Sequence, residues 1–254
     1  MEQQPLTANQ FGSRAAQYLT SAVHSSGADL AGLMDSVADS AAVRVLDLGC
    51  GAGHASFALA RGGATDVVAY DLSSAMLEVV AAESKVRGHA QIHTAQGPAE
   101  SLAFPEASFD MVVTRYSAHH WLDMRQGIHE AARVLKPSGK LIVIDVIAPE
   151  IPLFDTVLQT VEILRDLSHV RDYRESEWRS TLAGAGLSDA VSHRWKLAME
   201  FDGWVARIGT SAARITAVKT VLDELPGEAR EYFSVSQNRS FTIDAGWFEA
   251  RKAS

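Results

Sequence analysis

The chain has 254 residues, 47% hydrophobic and 21% charged, with a formal net charge of −8. That length and apolar share suit one large α/β domain, or a domain with a sizeable insertion. The acidic balance without a basic patch disfavours nucleic acid as a partner, no apolar run nears the roughly 20 residues of a membrane span, and the lone Cys50 excludes an internal disulfide. The N-terminus lacks a secretory pattern, so a cytoplasmic protein is expected.

Residues 1–7 read as an irregular start, and residues 8–38 carry helical spacing. Phe11, Ala15, Tyr18, Leu19 and Val23 form one apolar face, and Leu30, Leu33, Met34 and Val37 form another. A strand is expected at 43–48, breaking into the glycine-rich turn Asp47-Leu48-Gly49-Cys50-Gly51-Ala52-Gly53 that opens a helix at 53–62. A dinucleotide site reads G-x-G-x-x-G; here the third glycine falls one residue early, and Asp47 stands inside the strand. A carboxylate there repels a pyrophosphate and attracts an ammonium. The turn therefore points away from NAD and toward a ligand with a cationic amino-acid group, and S-adenosylmethionine fits.

Further strands are expected near 66–70, 91–95, 109–116 and 140–147, with helices near 74–87 and 124–135, the last ended by Pro137-Ser138-Gly139. Such alternation predicts a doubly wound, mostly parallel sheet with right-handed crossovers. Beyond residue 148 helices are expected at 152–170, 175–186 and 202–233, and strands at 190–200 and 240–250. Cys50 needs only small size in its turn. His89 and His93 straddle Gly88 without a partner ligand, so no metal site is expected, and a G-x-S-x-G nucleophile elbow is lacking.

Five motifs in register resemble the class I S-adenosylmethionine-dependent methyltransferases of the ubiquinone/menaquinone-biosynthesis type. They are the turn at 45–53, Asp71-Leu72-Ser73-Ser74-Ala75-Met76-Leu77, Gly97-Pro98-Ala99-Glu100, Phe109-Asp110-Met111-Val112-Val113, and Arg133-Val134-Leu135-Lys136-Pro137. The likeness covers about residues 10–200. It implies one methyltransferase domain over 1–254, with N-terminal helices over 1–40 and a cofactor-binding core at 41–148. Lid helices then fall at 149–175 and 202–235, and a terminal antiparallel hairpin completes a seven-stranded Rossmann-like sheet.

Within this frame Asp47 either orients the loop amides or accepts from the ligand ammonium, while Gly49 and Gly51 let the methionine part lie against the backbone. Asp71, ending the second strand, suits two ribose hydroxyls, because Ser73 and Ser74 are available to cap the following helix. Leu72 and Met76 either face adenine or belong to the core. Pro98 stands where the family has an acid, which removes one adenine contact, though the Ala99 amide can still donate to the ring. Glu100 reads as structural. Arg115 contacts the methionine carboxylate or shapes the pocket.

The run Arg115-Tyr116-Ser117-Ala118-His119-His120-Trp121 follows the fourth strand, where the resemblance puts the junction of donor and acceptor. His119 is expected to face the acceptor as general base and His120 to pack, the two diverging if the segment is extended. By resemblance Tyr18 lies near the methionine moiety. His24, His120, His169 and Tyr173 are candidate substrate contacts, and Phe154, Leu158, Leu164, Trp178, Trp204 and Ile208 are the apolar residues offered by the lid. The expected reaction is in-line methyl transfer to an O, N or C atom of a small, partly aromatic or isoprenoid-like acceptor. A SAM-binding regulatory module and a nucleotide-dependent oxidoreductase are the rival readings. Monomer and homodimer both remain open.

Overall fold

The computed structural model describes residues 2–12, 27–38 and 43–253, the side chains of 189–191 excepted. Tyr18 and His24 lie outside the described residues. Two helices come first, α1 (Gln3–Gly12) and α2 (Ala28–Ala38). There follow β1 (Arg44–Leu48), α3 (His54–Arg61), β2 (Asp66–Asp71), α4 (Ser74–Arg87), β3 (Ile92–Gln96), β4 (Phe109–Arg115), a 3₁₀ turn at Ala118–His120 and α5 (Met124–Val134). The chain continues through β5 (Leu135–Ala148), α6 (Pro152–Arg165), the short β6 (Tyr173–Arg174) and α7 (Glu175–Gly184). It closes with β7 (Leu187–Met199), α8 (Phe201–Arg207), α9 (Ala212–Asp223), α10 (Gly227–Tyr232) and β8 (Phe241–Lys252).

The sheet runs β3-β2-β1-β4-β5-β8-β7, with β6 pairing beside the end of β5. β1 to β5 are parallel, and β8 pairs antiparallel with both β5 and β7. Strands covered on both faces need apolar side chains at successive positions. Val45, Leu46 and Leu48 of β1 and Leu141 to Ile144 of β5 are accordingly buried. Leu46 and Leu48 join a core with α5 and α7 on one face, whereas Val45 joins α2 and α3 on the other. The strand order reverses between β1 and β4, so their carboxyl ends open the crevice in which sheets of this kind take ligands.

Several boundaries differ from expectation. α1 begins at Gln3, inside the stretch read as irregular. The helix expected over 152–170 stops at Arg165, and Asp166 to Asp172 form a loop. The helix expected over 202–233 is three helices, broken at Gly209 (φ +64°) and at Pro226. Both residues carry the break chemically: one favours a left-handed backbone, the other lacks the N–H that a helix interior needs. Together α6 and α8 to α10 enclose a third apolar cluster at the carboxyl end of β5. No helix among the described residues is long and apolar enough to cross a membrane.

Trp178, expected at the acceptor pocket, is instead fully buried in the core, its ring 5.9 Å from that of Phe248. Its indole Nε1 has no hydrogen-bond partner, so packing alone holds it. Trp178→Ala should therefore cost about 3–5 kcal/mol of stability. Trp178→Phe, which forfeits no hydrogen bond, should cost clearly less. Urea unfolding of the two variants measures the difference.

Candidate active site

β1 ends in the glycine turn because the chain must reverse under tight steric limits. Gly49 (φ +75°) and Gly51 (φ +50°) adopt left-handed backbone that L side chains rarely accept. A Cβ at Gly49 would also collide with the side chain of Ser117, whereas at Gly51 it would enter open space. The Gly49 and Cys50 amides donate to the Tyr70 carbonyl at 2.8 and 3.0 Å, and the Gly51 amide donates to Asp71 Oδ2 at 2.9 Å. The turn is thus tied to the end of β2.

A cavity of about 1070 Å³, open to solvent on one side, lies above this turn. Asp47, Gly49, Gly51, Asp71, Leu72, Met76, Pro98, Ala99 and Arg115 all line it. Asp71 accepts from the Gly51 amide and, through Oδ1, from the Ser73 amide at 2.8 Å. Each of its oxygens keeps a further lone pair. Ser73 caps α4, its Oγ accepting from Met76 N at 3.4 Å. Glu100 accepts the amides of Leu122 and Asp123, a structural duty.

Asp47 is wholly buried beneath the turn. Its Oδ2 accepts from Ser56 Oγ at 2.5 Å, while Oδ1 has no donor. Burial raises its carboxyl to about 6. An orphaned carboxylate oxygen below the cavity and an open cradle at Gly51 fit a ligand with a cationic amino-acid end. Arg115 is engaged elsewhere, its Nε donating to Asp29 Oδ2 at 2.6 Å in a nearly buried pair that ties α2 to β4. It shapes the pocket wall.

After β4 the backbone turns sharply at Tyr116 (φ +50°), a left-handed position of the kind concentrated at functional sites. The following segment is a 3₁₀ turn and not extended, so His119 and His120 project differently from expectation. His120, expected to pack, lines the cofactor-sized cavity and also a second one. His119 lines only the second. Phe11, Tyr116 and His120 line both cavities and mark where the two adjoin. Phe11 of α1 meets the His120 ring edge-on, centroids 4.8 Å apart. Gln3 and Gln10 fasten α1 to the Ser168 and Ile208 carbonyls.

His119 Nδ1–H donates to Asp145 Oδ1 at 2.6 Å, and that carboxylate is fixed by the Val146 amide at 2.8 Å. Burial opposes protonation of His119, but the adjacent Asp145 prevails and raises it to about 9. His120 is lowered to about 4 by burial and by the His119 charge, its Nδ1–H donating to the Ser168 carbonyl. His169 and Tyr173, expected as substrate contacts, line neither cavity. His169 is buried and bonded to Gln159, and Tyr173 packs on Trp178. Of the apolar lid residues, Trp204 lines the second cavity.

Sequence reasoning missed Asp145, although an acid inside the apolar run 141–148 was a visible signal. It also missed Glu162, Asp166 and Asp172, which reach the second cavity only through the tertiary path of α6 and its loop. Among the described residues no cluster of metal-ligating side chains is present.

A methyltransferase domain model matches residues 46–143. The chain is 46% identical over 187 residues to uncharacterized protein YafE of Escherichia coli strain K12, covering 74% of this chain and 90% of that protein. It is 37% identical over 231 residues to the uncharacterized methyltransferase YcgJ of Bacillus subtilis, covering 91% and 90%. The YcgJ crystal structure superposes with a TM-score of 0.85, at 34% identity, over 89% of this chain and 99% of that one. A demethylmenaquinone methyltransferase of Clavibacter sepedonicus is 38% identical over 117 residues, 46% of each chain.

Because the folded chain holds Asp47 at about 6 against an ordinary 3.8, the fold binds a proton there more tightly than the unfolded chain. That contribution is complete below about pH 4 and lost as pH rises through 6. Asp47→Asn should therefore raise the Tm of the ligand-free protein at pH 8 and leave it nearly unchanged at pH 4. Thermal scans at the two pH values check this.

Proposed function

The chain belongs to the S-adenosylmethionine-dependent methyltransferases, and we propose that it methylates an O, N or C atom of a small-molecule acceptor held in the second cavity. The observation that carries this reading is that two cavities adjoin at Phe11, Tyr116 and His120, which border both. A donor in one and an acceptor in the other can then meet at that junction.

The proposed cofactor contacts follow the first cavity. Gly49 and Gly51 admit the methionine part, and the buried Asp47 supplies negative charge beneath its ammonium. Asp71 offers its remaining lone pairs to the ribose hydroxyls. Leu72 and Met76 pack on adenine, beside the Ala99 amide and Pro98. When bound, S-adenosylmethionine supplies a methyl group already activated by its sulfonium.

The chain's own contribution is then alignment and exclusion of water. Positioning of that kind supplies roughly 7–11 kcal/mol, against about 10²–10⁴-fold for a general base. α1 closes over both cavities through Phe11 and its two glutamine anchors. His119 takes a proton from the acceptor at Nε2, and Asp145, as positioning residue, holds the ring and stabilises its charge. A base held near 9 is mostly protonated at neutral pH, so turnover should climb with pH toward that value.

Four outcomes are expected. S-adenosylhomocysteine binds the purified protein in calorimetry, and Gly51→Val, which fills the cradle, abolishes that heat. Methyl-transfer rate against pH inflects near 9 in the native protein, and Asp145→Asn moves the inflection about one unit or more lower by removing the counter-charge. An unmoved inflection removes His119 from the role of base.

A further inference from the structure

The second cavity carries an acidic set that the methyl-transfer reading does not use. Asp166 and Asp172, both at its wall, are each 1% exposed. Asp166 Oδ1 accepts from the Ser168 amide at 2.8 Å and the Ser168 hydroxyl at 2.7 Å, but Asp166 Oδ2 has no donor. Asp172 Oδ2 has none either; His169 Nε2 stands 3.9 Å away, too far to bond. Glu162, also at the wall, is taken by Arg165, whose guanidinium lies over the Trp204 ring. Buried carboxylate oxygens are ordinarily satisfied, and two orphans in one cavity point to a donor from outside the chain.

Charge gives the sign of that donor. The cavity and its immediate backing hold four acids, Asp145, Glu162, Asp166 and Asp172, against Arg165, Arg207 and the protonated His119. One further positive charge balances the set, whereas a carboxylate or phosphate ligand deepens the excess. Burial, and then the neighbouring Glu162 and Asp145, push the Asp172 carboxyl well above the ordinary range even with the His119 and Arg171 charges opposing. A proton and an ammonium are alternative ways of supplying the same missing charge.

Building on the methyltransferase reading, we propose that the acceptor is a protonated amine on an apolar body, its ammonium seated at Asp166 and Asp172 and its body against Phe11, Val146 and Ile243. The ammonium gives one proton to neutral His119 Nε2. The freed nitrogen lone pair forms the N–C bond as the C–S electron pair departs to sulfur, leaving a methylated ammonium and S-adenosylhomocysteine. Turnover then requires the small neutral fraction of His119, in keeping with a rate that climbs with pH.

The test is calorimetry at pH 7.5 on protein saturated with S-adenosylhomocysteine, using phenethylamine, its neutral isostere 2-phenylethanol, and 3-phenylpropanoate. Phenethylamine should bind roughly tenfold or more tightly than the alcohol, the span expected of a hydrogen bond to a charged group. The carboxylate should not bind. Asp172→Asn should bring amine and alcohol within about threefold, with Asp166→Asn as a second variant if the first misfolds. Equal affinities, no binding by any of the three probes, or a preference for the carboxylate overturns the proposal. Failure of S-adenosylhomocysteine itself to bind sinks instead the methyltransferase reading on which it rests.

Discussion

Two parallel strands ending side by side, β1 and β4, determine everything else about this site. Their carboxyl ends lie at the point where strand order reverses, and each must leave the sheet at once in a different direction. β1 leaves through glycines, because Ser117 of the neighbouring exit occupies the place of any side chain at Gly49. β4 leaves through Tyr116 in a left-handed conformation and a single 3₁₀ turn. The first exit makes a cradle, and the second borders both the cradle and the acidic cavity.

Around this junction the protein holds several ionisable groups out of water, and their shifts follow from which partner each has. Asp47 accepts only from Ser56 and has no cation in contact, so desolvation prevails and raises its carboxyl. His119 has Asp145 at 2.6 Å, so the counter-charge prevails over the same desolvation. His120, one residue on, has no such partner and falls to about 4. Neighbouring groups pushed in opposite directions are a recurring arrangement where protons are moved. The first of these groups is a latent attraction for a cationic ligand; the second is a base poised above neutrality.

Much of the fold was legible because its signals are local. Alternating apolar strands and capped helices gave the parallel core from β1 to β4 nearly at its observed bounds, whereas β5 starts at Leu135 and contains the Pro137-Ser138-Gly139 segment read as a stop before it. The turn at 47–53 was legible for the same reason, since conformation and charge there sit within seven residues. Helix ends beyond residue 148 were less so. Gly209 and Pro226 divide a stretch whose apolar spacing reads as continuous, and the spacing outweighed them. The two histidines were found, but the position of His120 beside both cavities was not, because it depends on a 3₁₀ turn that apolar periodicity does not register. Asp145, Asp166 and Asp172 lay outside sequence reasoning altogether, since β5 and the loop after α6 meet His119 only in the folded chain. Trp178 shows the converse: an aromatic residue assigned to a pocket by composition proved to be core.

The central claim is that donor and acceptor meet at the junction bordered by Phe11, Tyr116 and His120. A crystal grown with S-adenosylhomocysteine measures this directly through the position of its sulfur. The account predicts amino-acid end in the Gly51 cradle, ribose on Asp71, and sulfur at that junction with its open side toward the second cavity and His119. Sulfur turned to solvent, or the nucleoside lodged among Glu162, Asp166 and Asp172, contradicts it.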